Sequence, residues 1–185
     1  MSIAVAHGHP FSIDDLDQFP DDDGLRYELI EGTLIVSPSP TLLHQRAVMR
    51  LTLLLAAACP PELEVLPGPV DVVLGPATMV APDAVVARTA DMGGKRFDEA
   101  FPLLVVEVIS PSSRLMDPNT KRAAYEASGV EGYWIVDPVE PSVRVVRWIG
   151  EGGTDEQLVT GDETLTLDWP VAVELCPARL VSDQR

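Results

Sequence analysis

"PLLVVEVIS", residues 102–110, is an apolar run with a single carboxylate, Glu107, set inside it. The Val, Leu and Ile content, ended by the "SPSS" that follows, reads as an apolar strand. Alternate side chains of a strand share a face, so Val105, Glu107 and Ile109 point one way and Val106 and Val108 the other. An unpaired charge in such surroundings costs several kcal/mol even after relaxation. Glu107 is therefore neutralised, paired with a base such as Arg88 or Arg114, or bound to a cation. Its place near the end of the run matters, because ligand sites in open α/β sheets collect at the carboxyl ends of strands.

Upstream, "PDAVVAR" opens with Pro82-Asp83, a second carboxylate at the margin of an apolar run. Carboxylates on neighbouring strands repel, and a divalent cation with oxygen ligands relieves that repulsion. Downstream, "DPNTKRAAYEAS" predicts a helix with Asp117 as N-cap, Pro118 at its first position and a stop at Gly129. Lys121 sits about one turn into it, facing the positive end of the helix dipole, where stability alone would not place it. Tyr125 follows on the same face at i+4. A cation beside two metal-binding carboxylates suits phosphoryl chemistry.

Around this centre, "FSIDDLDQF" predicts a short acidic helix with Ser12 as N-cap and Asp15 three residues on. "RYELIEGTLIVS" predicts a hairpin turning at Glu31-Gly32, with Tyr27 and Leu29 against Leu34 and Val36. From Thr41 to Cys59 apolar residues recur at helical spacing, and Leu43, Ala47, Leu51 and Leu54 are expected to face the sheet. "LEVL", "PVDVVL", "GYWIVDP", "SVRVVRWIG" and the segments up to Leu175 read as further strands. A single α/β domain over residues 1–185 is expected, its core at roughly 11–149 and a C-terminal strand extension at 150–185.

The chain has 185 residues, 46% of them hydrophobic, and a formal net charge of −16. The charge is uneven. Residues 1–31 hold eight acids against one base, Arg26, and residues 150–185 eight against two, whereas residues 32–149 sum to only −3. Such acidity opposes tight non-specific DNA binding but not a metal-assisted phosphodiester site. The most apolar window, "LTLLLAAAC", is too short to span a bilayer, and no targeting segment is expected in "MSIAVAHGHP". Cys59 and Cys176 lack ligand-like spacing and read as buried thiols of a cytoplasmic protein.

The order "PD", then "EV" in an apolar strand, "SPSS", a helix with a Lys, and "GYWIVDP" resembles the PD-(D/E)XK nuclease superfamily. More narrowly, "RYELIEGTLIVSPSP…H", "APDAVVAR", "LLVVEVISPSSR" and "KRAAYEASGVEGYWIVDP" resemble the bacterial restriction endonuclease family called Uma-two, over roughly residues 11–149. The resemblance implies an αβββαβ core with a central mixed sheet, to which an N-terminal hairpin and C-terminal strands are added. It implies Mg²⁺- or Mn²⁺-dependent hydrolysis of DNA, with Asp83 and Glu107 as metal ligands. The superfamily's signature Lys, two positions after the acid, is replaced here by Ile109, and the resemblance assigns that role to Lys121.

Glu28, in the shared "YELIEG", is a possible third carboxylate. His44, at the start of the long helix where many superfamily members carry an acid, is a possible accessory residue. The expected protein is a cytoplasmic, membrane-free homodimer that binds DNA weakly without its target, since cutting both strands of a duplex favours two-fold symmetry. The competing reading is a catalytically silent acidic interaction module on the same fold, motivated by the −13 carried by the two flanks. A two-carboxylate glycoside hydrolase is weaker still, because the aromatic residues lie in strand patterns rather than in a sugar platform.

Overall fold

The computed structural model describes residues 3–5, 10–20, 23–110, 118–150 and 152–182. Arg114, the Asp117 cap and the histidines at 7 and 9 lie outside these residues. The chain runs β1 (Ile3–Val5), α1 (Ile13–Leu16), β2 (Leu25–Ile30), β3 (Thr33–Pro38), α2 (Leu42–Ala58), β4 (Leu63–Pro67), β5 (Val72–Gly75), β6 (Thr78–Val80), β7 (Ala84–Arg88) and β8 (Leu104–Val108). It continues through α3 (Pro118–Ser128), β9 (Gly132–Asp137), β10 (Ser142–Ile149), β11 (Gly153–Thr160), β12 (Leu165–Leu167), β13 (Val173–Leu175) and α4 (Pro177–Val181).

The central sheet is mixed, in the order β11-β10-β9-β8-β7-β4. Only β8 and β9 pair in parallel, with Glu107 opposite Ile135. A parallel pair needs a crossover, and α3 provides it. Within this sheet α2, β4, β7, β8, α3 and β9 follow one another as the expected αβββαβ core, with β5 and β6 inserted between β4 and β7.

The hairpin forms as expected, with Tyr27 opposite Val36 and Leu29 opposite Leu34. Its left-handed corner is Glu31-Gly32, with φ of 49° and 77°. Rather than being added to the central sheet, it is the middle of a second, five-stranded sheet in the order β1-β3-β2-β6-β5. Strand β6 is a three-residue piece of "TMV" whose pattern is too short to register as a strand. The capping box of α1 is present, with Ser12 and Asp15 bonded reciprocally.

Strand β8 is an unbroken apolar run because both of its faces are covered. Val106 and Val108 pack with Ala47, Leu51 and Leu55 of α2 and with Trp134. Val105 packs with Ile30, Ile35, Tyr125 and Tyr133, between the second sheet and α3. Glu107 shares the Val105 face, so its carboxylate is carried into the gap between the two sheets.

Helix α2 is turned slightly from the expected face. His44, Ala47, Val48, Leu51, Thr52 and Leu55 are buried, while Leu43 and Leu54 are only half-buried. The stripe rotates because His44 is drawn inward to a polar partner. Thr41 caps the helix, its hydroxyl accepting the His44 N–H at 3.2 Å, and Pro60-Pro61 prevent continuation at the other end. We expect Thr41→Ala to cost about 1 kcal/mol, a fall of roughly 2–4 °C in melting temperature for a chain of this size. A calorimetric scan that superimposes on the parent would show the cap to be idle.

Candidate functional site

Strand β2 alternates Tyr27 and Leu29 toward the α1 cluster with Arg26, Glu28 and Ile30 toward the central sheet. Two-residue spacing therefore brings Arg26 and Glu28 to one place, facing the end of β8. Asp83, just before β7, meets the same end of β8: its N–H donates to Val106 O at 2.9 Å and its Oδ2 accepts from Val108 N–H at 2.8 Å. Gly68 makes this position possible. A Cβ there would stand 2.2 Å from Pro82 O and 2.9 Å from Asp83 Cα, so only glycine allows the β4 exit to lie against the Pro82-Asp83 backbone.

Helix α3 supplies Lys121 and Tyr125 from one face, as their spacing predicts. Lys121 Nζ donates to Glu28 Oε1 at 2.7 Å and to Glu107 Oε1 at 2.9 Å, and Tyr125 OH donates to Glu107 Oε1 at 2.9 Å. Glu28 Oε1 also accepts from Ala81 N–H at 2.9 Å. Helix α2 supplies His44, whose Nε2 lies 3.1 Å from Asp83 Oδ2, and Arg26 Nη1 donates to Asp83 Oδ1 at 2.9 Å. All five residues singled out in the sequence, together with Arg26, line one cleft of about 70 Å³.

The site therefore packs three carboxylates around two cationic side chains, with a histidine beside them. Burial pushes the Glu107 carboxyl up; Lys121 opposes, Glu28 and Asp83 add repulsion, and the result is about 7. Burial would also raise Asp83, but His44, Arg26 and the Val108 N–H outweigh it and hold this carboxyl below its ordinary range. Burial disfavours the Lys121 ammonium, yet Glu107 and Glu28 more than compensate and raise its pKa. Burial keeps the Tyr125 hydroxyl protonated, fit to donate to Glu107.

Two expectations need correction. Arg88 is not the partner of Glu107; it pairs with Glu131 at 3.3 Å on the surface. Strand β7 runs antiparallel to β8, with Ala84 opposite Val106, so Arg88 lies toward the opposite end of β8 from Glu107. Nor are Glu107 and Asp83 uncompensated without a metal, since Lys121 serves one and Arg26 and His44 the other. Among the described residues no three His, Cys, Asp or Glu side chains stand in position to surround a metal ion. Asp83 and Glu107 nevertheless bring two carboxylates to one cleft, and a hard divalent cation can bind through one or two carboxylates together with water and substrate phosphate rather than in an all-protein cage.

Arg26 was not anticipated, although a signal existed: it is the lone base among the eight acids of residues 1–31, two positions before Glu28.

The model of the Uma2 family, described as "Putative restriction endonuclease", matches residues 13–176. The chain belongs to the Uma2 family. The match extends past the 11–149 span of the motifs and takes in the C-terminal strands. A similar solved structure is titled a putative nuclease belonging to DUF820 from Anabaena variabilis ATCC 29413; it is 19% identical, with a TM-score of 0.68 over 85% of this chain and 89% of that one. At that identity the likeness speaks for the fold alone. No curated protein matches the sequence. In this Uma2 chain Ile109 spends its N–H on Val136 O at 2.7 Å, and the ammonium beside Glu107 comes from α3 instead of β8.

Proposed function

We propose that this Uma2 protein is a nuclease that hydrolyses DNA phosphodiester bonds with a divalent cation, Mg²⁺ or Mn²⁺. The observation that carries the reading is the meeting of Asp83, Glu107 and Lys121 in one cleft at the end of β8. Asp83 and Glu107 would hold the cation, which when bound supplies Lewis acidity at the scissile phosphate. Tyr125 fixes the orientation of Glu107. Glu28, anchored on the Ala81 N–H, holds Lys121 with its charge at the cleft, where it offsets the negative charge that develops on phosphate. His44 and the Val108 N–H fix Asp83. The N-terminus of α2, without an acid in its first turn, opens on the same cleft and favours an anion.

Association with DNA away from a target is weak in this reading, because the flanks are acidic. A homodimer would bring two such clefts to the two strands of a duplex. No helix among the described residues is long and apolar enough to cross a membrane.

Calorimetric titration with Mn²⁺ separates the nuclease from the silent acidic module. The nuclease reading expects saturable binding below millimolar metal that Glu107→Ala removes. No heat at millimolar Mn²⁺ would favour the module.

A further inference from the structure

Asp83 is held asymmetrically. Its Oδ2 accepts from two groups fixed inside the fold, the Val108 N–H at 2.8 Å and His44 Nε2 at 3.1 Å, and the His44 side chain is 5% exposed. Its Oδ1 accepts, among the described residues, from Arg26 Nη1 alone at 2.9 Å, and the Arg26 side chain is 23% exposed. The rest of the Arg26 anchorage is one long contact to Ala81 O at 3.4 Å, while a guanidinium carries five N–H donors in a planar fork. Of the side chains that hold Asp83, Arg26 is the more exposed.

Arg26 and Asp83 also form a wall shared by two clefts. One is the cleft of Glu107 and Lys121; the other, about 160 Å³, runs past Gln45, Val48 and Gly68, and Pro38, Ser39 and Pro40 line both. A strand passing from one to the other would cross the guanidinium.

On the reading that Asp83 holds the cation, we infer that Arg26 is a displaceable counter-ion and phosphate clamp. Without metal it occupies Asp83 Oδ1. A cation at that oxygen repels the guanidinium, which turns away from the carboxylate into the clefts it already borders and there binds a phosphate of the substrate backbone through its fork. Arg26 thus couples loading of the site to affinity for DNA: protein that lacks metal keeps its phosphate clamp folded onto its own carboxylate.

Two measurements on full-length Arg26→Gln test this without relying on cleavage. Mn²⁺ affinity, titrated without DNA, should tighten about tenfold, because a competing charge-assisted bond is removed. Affinity for a labelled duplex oligonucleotide in Ca²⁺, followed by anisotropy, should weaken about tenfold for loss of one phosphate contact. Arg26→Lys, which keeps the charge but not the fork, should retain parental Mn²⁺ affinity and only part of the duplex affinity. If Arg26 merely braces Asp83, Arg26→Gln binds Mn²⁺ no better than the parent, or duplex affinity does not move; either result overturns the inference. Absence of Mn²⁺ binding in the parent overturns the metal reading itself, and is seen before any variant is compared.

Discussion

Alanine at Asp83 or at Glu107 is expected to lower Mg²⁺-dependent nicking of supercoiled DNA by on the order of a thousandfold. A cation at a phosphoryl oxygen contributes several kcal/mol of charge stabilisation, and each 1.36 kcal/mol is about tenfold in rate. If, as proposed, both carboxylates serve one cation, the two losses should not add, because removing either then removes it. Lys121→Ala should also cost activity while Mn²⁺ still binds, since the role proposed for its ammonium is at phosphate and the carboxylates of Asp83 and Glu107 remain. Arg88→Ala is the control: its pairing with Glu131 is on the surface, and exposed pairs contribute little. Nicking by Asp83→Ala or Glu107→Ala at the parental rate would refute the site.

The second large effect is on stability and reverses a common expectation for ion pairs. Burial outweighs Lys121 at Glu107 and moves its pKa from 4.5 to about 7. The folded state then holds this proton more tightly than the unfolded chain, so stability falls as pH rises from about 4.5 through 7. Over the whole window the loss amounts to about 3 kcal/mol at 1.36 kcal/mol per pKa unit. Glu107→Gln keeps the shape and removes the ionisation. We expect the metal-free variant to match the parent near pH 4, to exceed it by up to about 3 kcal/mol near pH 8, and to gain nothing from Mn²⁺. The parent should gain roughly 2.7 kcal/mol at a hundredfold excess of metal over Kd. It should also release close to one proton per Mn²⁺ at pH 6 and few at pH 8, measurable in buffers of different ionisation enthalpy. If the Lys121–Glu107 pair were instead a net brace of the fold, Glu107→Gln would destabilise the protein at pH 8.

Much of this site is legible in the chain because strand periodicity places side chains without knowledge of the fold. Glu107 could be put on the Val105 face, Lys121 and Tyr125 on one side of a helix, and Tyr27 opposite Val36, from spacing alone. Periodicity does not say what covers a face. The hairpin's union with β5 and β6 rests on tertiary contacts such as Leu29 opposite Met79, and a three-residue strand carries no period. For the same reason Glu28 could be named as a possible third carboxylate but not as the group that holds Lys121. His44 shows the limit from the other side. A histidine in the first turn of a helix suggests a wet surface, yet here it is 4% exposed because Asp83, 39 residues away in sequence, offers it a buried partner. Arg26 is not legible in the sequence because a net charge of −16 hides the meaning of one base among acids.

The most direct test is a crystal of the full chain soaked in Mn²⁺, with anomalous differences measured at the metal edge. One peak is expected in the cleft, within coordination distance of both Asp83 and Glu107, with Arg26 withdrawn from Asp83. A peak elsewhere, or an intact Arg26–Asp83 bond with no peak in the cleft at saturating Mn²⁺, would contradict that expectation.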